Sequence, residues 1–266
     1  MKPDPYFILG ILNTTPDSFS DGGLYSDPSR AVDHALQMIA DGADGIDIGG
    51  ESTRPNADII SSRDEIDRIL PIIKILKEKN FFVSIDTRNS ETMKIALEHG
   101  ADMINDVSAL THDPRSIEII AGSNTKLCLM HMQGTPQTMQ QNPYYNDVIA
   151  EVKNFLSERI SVCESHSISK DRIIIDVGIG FGKTLEHNIM LLKNLREFKN
   201  LGCEIMLGTS RKSFIERMTK VTLPKDRVGG SLASVLSAYQ QGVRIFRVHD
   251  VLATKQALDV WRGIER

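Results

Sequence analysis

Phe81-Phe82-Val83-Ser84-Ile85 is an apolar run of strand length, and it stops on Asp86. A largely continuous run of this kind reads as a strand buried on both faces, as in a parallel sheet covered by helices. Seven other runs repeat the pattern: Phe7 to Leu12, Gly45 to Ile48, Met103 to Ile104, Leu127 to Met130, Ile173 to Ile175, Ile205 to Leu207 and Val243 to Val248. Their exits are polar or glycine-rich: Asn13, Gly49-Gly50-Glu51, Asn105-Asp106, His131, Asp176, Gly208-Thr209-Ser210-Arg211-Lys212, and Arg247 with His249.

Helical patterns fill most of the intervals. Asp27-Pro28 offers an N-cap and a first-turn proline ahead of Ala31, Val32, Ala35, Leu36 and Ile39, with Gly42 as the stop. Ser62-Arg63-Asp64-Glu65 matches a capping box before Ile66, Ile69, Leu70, Ile73 and Leu76, and Pro71 predicts a local bend. Ser90 to Glu98 closes at Gly100, an amphipathic segment starts at Asn146, and Leu232 to Gln241 and Leu252 to Trp261 are also helical in pattern.

Eight units in 266 residues give about 33 residues each, close to the ~30 of one strand-helix-strand unit. With no hairpin signal and no interdomain linker, the expectation is an α/β fold: one (β/α)8 TIM barrel over residues 1–266, rather than a doubly wound open sheet. Its long active-site loops follow the first and second strands, at 13–27 and 50–61, with a third at 131–146. In such a barrel the C-terminal strand ends face the active site, so polar exits are candidates for chemistry.

Bulk composition narrows the function. The chain is 41% hydrophobic and 25% charged, with net charge −4 and a pI near 6.0, which gives no electrostatic reason to expect nucleic acid. Cys128, Cys163 and Cys203 are odd in number and lack CxxC spacing, so they read as reduced thiols of a cytoplasmic protein. Tyr6 to Leu12 is too short to span a membrane and reads as the first strand.

Asp86, Asn105 and Asp176 each end an apolar run and would converge at a barrel mouth. A lone strand-end Asp commonly caps the next helix, and for Asp86 before Thr87-Arg88-Asn89 that reading competes. Together, carboxylates and amides suit a flat heterocycle with alternating donors and acceptors. Asn13 heads a loop rich in turn formers, and its amide oxygen could serve a hard cation such as Mg²⁺. Gly178-Ile179-Gly180-Phe181-Gly182-Lys183-Thr184 looks like a nucleotide loop but fails on spacing: a Walker A glycine would have to stand at Val177, and a dinucleotide fingerprint needs glycine at Lys183. Its glycines instead suggest close approach of a ligand plane, with Phe181 available for stacking.

Ser210-Arg211-Lys212-Ser213 sets two cations just past a strand, where barrels often hold phosphate and where a helix N-terminus alone would not favour them. Alternation puts Arg247 and His249 on one side, and Arg54 adds a further cation. Arginine, histidine and a metal could share the charge of a diphosphate.

These segments, in order, resemble the dihydropteroate synthases. The resemblance is carried by Gly10 to Gly23, Gly49 to Pro55, Ser84-Ile85-Asp86-Thr87, Asn105-Asp106-Val107, Leu129 to Gly134, Asp176 to Lys183, Ser210 to Ser213 and Arg247 to Asp250, which span nearly the whole chain. It implies a barrel that condenses 6-hydroxymethyl-7,8-dihydropterin diphosphate with 4-aminobenzoate, releasing diphosphate. It further implies that Asp86, Asn105, Asp176 and Lys212 contact the pterin, with Met130 and Phe181 at its faces. Asn13 would coordinate Mg²⁺, and Thr53, Arg54, Arg247 and His249 would lie around the diphosphate. On this reading Arg54, Lys212, Arg247 and His249 form the catalytic set. Phe19, Thr53, Pro55 and Ser213 are the implied aminobenzoate neighbourhood, which sulfonamides would share, and a homodimer is implied by the family alone.

Val177 replaces a common proline, Ile179 an aromatic of some members, and Asn56 a frequent glycine; none removes a charged or metal-binding group. His131 has no implied role. Two rivals share the pterin-binding positions: a barrel transferring methyl from a folate to a corrinoid protein, and a non-catalytic pterin-binding paralogue. Arg54, Lys212, Arg247 and His249, with Asn13, favour the synthase.

Overall fold

The computed structural model describes residues 6–14, 28–52 and 60–265. Eight parallel strands close in sequence order, the last pairing with the first. They are β1 (Phe7–Asn13), β2 (Gly45–Gly49), β3 (Phe82–Asp86), β4 (Met103–Asp106), β5 (Lys126–Met130), β6 (Ile173–Asp176), β7 (Glu204–Leu207) and β8 (Ile245–Val248). All eight runs are strands, and Asn13, Asp86, Asp106 and Asp176 are the last residues of theirs.

Among the described residues, nine α-helices accompany the strands. They are α1 (Pro28–Ala40), α2 (Ser62–Glu78), α3 (Ser90–Glu98), α4 (Ser116–Ala121), α5 (Val148–Ser165), α6 (Leu185–Lys193), α7 (Ser213–Thr219), α8 (Val228–Gln240) and α9 (Val251–Glu265). The expected loops after β1 and β2 fall mostly outside the described residues.

Two helix starts differ from expectation. The N-cap of α2 is Ser61, one residue earlier than the predicted box, with its hydroxyl accepting from the Asp64 amide. Glu65 is thereby released from capping. It points inward, where one carboxylate oxygen accepts from Thr87, Asn89 and Thr92. The helix continues through Pro71 to Glu78 without interruption. Asp147, rather than Asn146, caps α5, accepting from the amides of Ile149 and Ala150.

Strand alternation sorts side chains into two compartments. Outward residues such as Ile46, Ile48, Val83, Ile85, Leu127, Ile173, Ile175 and Phe246 pack with the helices in the larger core. Inside the barrel, Leu9, Met103, Cys128, Ile174, Met206 and Ile245 make an apolar floor, with Phe7 and Phe82 against it. The floor is the physical reason that the polar groups above it face one mouth: they have nothing to bond below.

Candidate active site

One side-chain network crosses the barrel above that floor. Asp47, in the middle of β2 and 0% exposed, accepts hydrogen bonds from Ser84 Oγ (2.5 Å), Asn105 Nδ2 (3.1 Å) and Arg247 Nε (2.5 Å). Arg247 Nη2 donates to Asp86 Oδ2 at 2.7 Å. Thus β2, β3, β4 and β8 are tied through polar groups that alternation turns inward. Sequence reasoning missed Asp47, because it sits inside an apolar run rather than at an exit. The period of two through Gly45, Asp47 and Gly49 was the available signal.

Glycines leave room at the rim. A Cβ on Gly49 would lie 3.6 Å from Asn13 Oδ1 and 3.8 Å from Asp86 Oδ2, so those two oxygens flank it. A Cβ on Gly208 would lie 3.7 Å from Asp176 Oδ2 and 3.9 Å from Arg247 Cβ, so Asp176 and Arg247 meet across the β7 exit. Met130, with Asp176 its register partner on β6, is buried beside this mouth.

Beyond β6 the chain turns at once. Gly178 donates its amide to Asp176 Oδ1 at 2.7 Å, which fixes the carboxylate. Gly178 and Gly182 have φ of +69° and +62°, and Cβ atoms there would come within 1.8 Å of His131 O and 2.6 Å of Gln133 O. At these two positions the close approach is made by the β5 exit, not by a ligand, so the expected reason for the glycines is corrected. Lys212 reaches across to the Ile179 carbonyl (2.5 Å), with Nζ 4.8 Å from the centre of the Phe181 ring.

The two cations of the β7 exit therefore divide. Arg211, at φ +59°, is held in a bidentate pair by Asp250, while Lys212 turns into the barrel. Ser213 is exposed at the start of α7. His249 stands just past β8, with both its amide and Nδ1 in hydrogen bonds with Ser210 Oγ. Phe19, Thr53, Arg54, Pro55 and Asn56 lie outside the described residues. The root of the second loop is well anchored, since Thr14 donates twice to Gly49 O and Arg88 pairs with Glu51 through two 3.0 Å bonds.

Electrostatics follow from burial. Desolvation pushes Asp86 up to about 7, reinforced by the Asp47 charge and opposed by Arg247. Desolvation raises Asp176 as well, against the pull of Lys212 and the Gly178 amide, and it takes Lys212 down to about 8 despite Asp176. Against its own desolvation, Arg247 is held above the ordinary arginine value by Asp47 and Asp86. A mouth lined by Asp86, Asp176, the amides of Asn13 and Asn105, and the cations Lys212 and Arg247, with Asp47 beneath them, can bind a flat amine-bearing ring edge-on and still offer positive charge to an anion.

The residue pattern of pterin-binding enzymes matches this chain over residues 9–249. A dihydropteroate synthase from Haemophilus influenzae is 43% identical over 257 residues, covering 96% of this chain and 93% of its relative. The chain belongs to the dihydropteroate synthase family. It is thus an enzyme, and a transferase. Two solved members of the family share its fold. The Yersinia pestis dihydropteroate synthase in complex with a sulfonamide drug has a TM-score of 0.93 at 39% identity, covering 98% of this chain and 94% of the other. The Xanthomonas albilineans synthase with 4-aminobenzoic acid gives 0.92 at 43% identity, with the same coverage. No helix among the described residues is long and apolar enough to cross a membrane.

Proposed function

We propose that residues 1–266 act as one catalytic domain, joining 6-hydroxymethyl-7,8-dihydropterin diphosphate to 4-aminobenzoate to give 7,8-dihydropteroate and diphosphate. The observation that carries the assignment of roles is the network of Asp47, Asp86, Asn105 and Arg247 at the mouth, with Asp176 and Lys212 opposite. Asp86, Asp176 and Asn105 take the pterin amines and ring edge, Lys212 donates to its acceptors, and Met130 and Phe181 flank its faces.

In the reaction the aminobenzoate nitrogen forms a bond to the pterin methylene carbon, the carbon–oxygen bond to diphosphate breaks, and the nitrogen loses a proton. An aryl amine is neutral at pH 7, so the demanding part is departure of the diphosphate. Arg247, with His249 and Arg54, stabilises the charge that develops on the leaving group, as fixed donors do in other active sites. Arg247 can also keep the Asp86 carboxylate oriented toward the pterin, because two of its five N–H groups are already on Asp47 and Asp86.

Asn13 is the candidate Mg²⁺ ligand. Among the described residues no group of three or more His, Cys, Asp or Glu gathers as a metal site, and Asn13 offers a single amide oxygen. One amide oxygen beside Asp86 fits an ion that keeps its waters and arrives on the diphosphate, as Mg²⁺ commonly does. When bound, it would add charge stabilisation to the leaving group.

Phe19, Thr53, Pro55 and Ser213 form the proposed aminobenzoate site. The 4-aminobenzoic acid and sulfonamide complexes of the two solved relatives support binding of these ligand classes, and sulfonamides are proposed inhibitors here. A cytoplasmic homodimer completes the reading, with sedimentation as its test. The deciding experiment for activity is diphosphate release with and without 4-aminobenzoate. Release that requires the amine and yields dihydropteroate supports the synthase; no release, or methyl transfer from a folate, overturns it.

A further inference from the structure

Two features that the proposed reaction leaves unused turn out to be partners. Lys183, at the end of the glycine turn, is 1% exposed, and its ammonium donates to His131 Nδ1 (2.9 Å) and Phe181 O (2.9 Å), with His131 O at 3.4 Å. Three acceptors around a buried nitrogen match the three N–H groups of an ammonium. Gly178 stands between this cation and the site: its amide holds Asp176 Oδ1, while a Cβ on it would lie 3.3 Å from Lys183 Nζ.

We propose that Lys183 is a positioning residue, a buried cation behind the Gly178–Gly182 turn that clasps the β5 exit and keeps the Asp176 carboxylate charged and aimed at the pterin. The inference rests on Asp176 being a pterin ligand. It deepens that reading, because Lys183 itself touches no substrate.

The surroundings favour a cation with a fixed partner. His131 is kept neutral by burial and by Lys183, its pKa held at about 3, so with its proton on Nε2 the Nδ1 atom accepts from the Lys183 ammonium. Its ring packs edge-on against Phe155 and tilted against Tyr145, whose hydroxyl donates to Gly182 O and whose ring meets His187 of α6. Burial takes Lys183 down to about 7, with the Asp176 charge raising it and Lys212 lowering it. Asp176 also faces Lys212 from the β7 exit and Arg247 from β8, and both lower its pKa; the thiol of Cys128 lies near enough to feel its charge. Below pH 7 Lys183 is charged, which is the range where loss of its charge would let Asp176 take up a proton.

The test is the affinity of 6-hydroxymethylpterin, which lacks titrating phosphate, measured by calorimetry from pH 4.5 to 8.5 for wild type, Lys183→Met and Lys183→Gln. Both variants should lose affinity on the acid side at a pH higher than wild type by on the order of one unit. They should keep their affinity near pH 8 and keep kcat at saturating substrate within about twofold, since no reacting atom is touched. A uniform loss at every pH, or an acid limb that stays in place, overturns the proposal. If the Met variant does not fold, the Gln variant retains donors for Phe181 O and His131 without the charge and gives the same reading. Asp176→Asn serves as the control for the underlying assignment: it should lower affinity across the pH range, and adding Lys183→Gln to it should no longer move the acid limb, which then belongs to Asp86 alone; if Asp176→Asn binds the pterin as wild type does, the pterin role of Asp176 fails separately from that of Lys183.

Discussion

Replacing Asp47 by alanine should be among the most damaging single changes in the barrel, even though the residue lies below the mouth. The substitution removes the acceptor of Ser84 Oγ, Asn105 Nδ2 and Arg247 Nε at once, in a place with no exposure to solvent. Breaking a buried ion pair from one side costs about 3–5 kcal/mol, because the surviving charge is left desolvated. Arg247 keeps Asp86 on Nη2 and its side chain is 18% exposed, so we expect the lower end, about 3 kcal/mol. At roughly 2–4 °C per kcal/mol for a chain of this size, the melting temperature should fall by about 10 °C. Asp47→Asn should cost less, since a rotated amide can still present oxygen to Arg247 and Asn105 while its NH2 faces Ser84. Freed from Nε, the guanidinium loses its aim, and turnover should fall by about 10²-fold, as a misplaced group commonly does. Thermal melts and steady-state rates for Asp47→Ala, Arg247→Met and the double variant test this directly. The pair should show a coupling of about 1–3 kcal/mol. Strictly additive melts, or an alanine variant as stable as wild type, would refute the reasoning.

Asp86→Asn should weaken pterin binding in calorimetry yet raise the melting temperature at pH 8. Its folded pKa of about 7 lies above the 3.8 of an unperturbed Asp, so folding disfavours the ionised form. That cost grows as pH rises from about 4 to 7, is fully present above 7, and disappears in the variant. A variant no more stable than wild type at pH 8 would contradict this. Gly178→Ala should fail to accumulate as folded protein or lose at least about 4 kcal/mol in urea denaturation, since its Cβ would meet the His131 carbonyl in a left-handed backbone. Arg247→Met should reduce turnover strongly while pterin affinity, measured separately, falls less; equal losses in both would argue against its leaving-group role.

The barrel was legible because its eight strands are buried on both faces and so appear as apolar runs, whichever helices lie between them. Asp86, Asn105 and Asp176 were legible for a related reason: a polar group where an apolar run ends sits at the mouth of the barrel, although Asp106 beside Asn105 turns instead to the amides of Ser108 and Leu110. Asp47 was not, since inside a run its partner cannot be named from neighbouring residues; Arg247 comes from the opposite end of the chain. The glycine turn misled for a similar cause. Gly178 and Gly182 make room for the backbone of residues 131 and 133, a tertiary contact that spacing within the turn does not encode. The cap of α2 lies one residue earlier than its box pattern, and Glu65 bonds inward to Thr87, Asn89 and Thr92, contacts that local spacing does not encode. Lys183 read as a failed nucleotide motif and His131 as an idle exit until the two were seen to share one hydrogen bond.

The Asp47 to Arg247 bond joins residues 200 positions apart, and β8 is also the strand that closes the ring onto β1. During synthesis, then, a chain lacking its last strand holds Asp47 in a forming core with no countercharge, and β1 with one edge unpaired. Contacts so distant in sequence form late and slowly. Completion of the barrel and arrival of the site's arginine are a single event, so a chain truncated before β8 should acquire neither a closed sheet nor a competent site, and ligand binding would report that folding has finished.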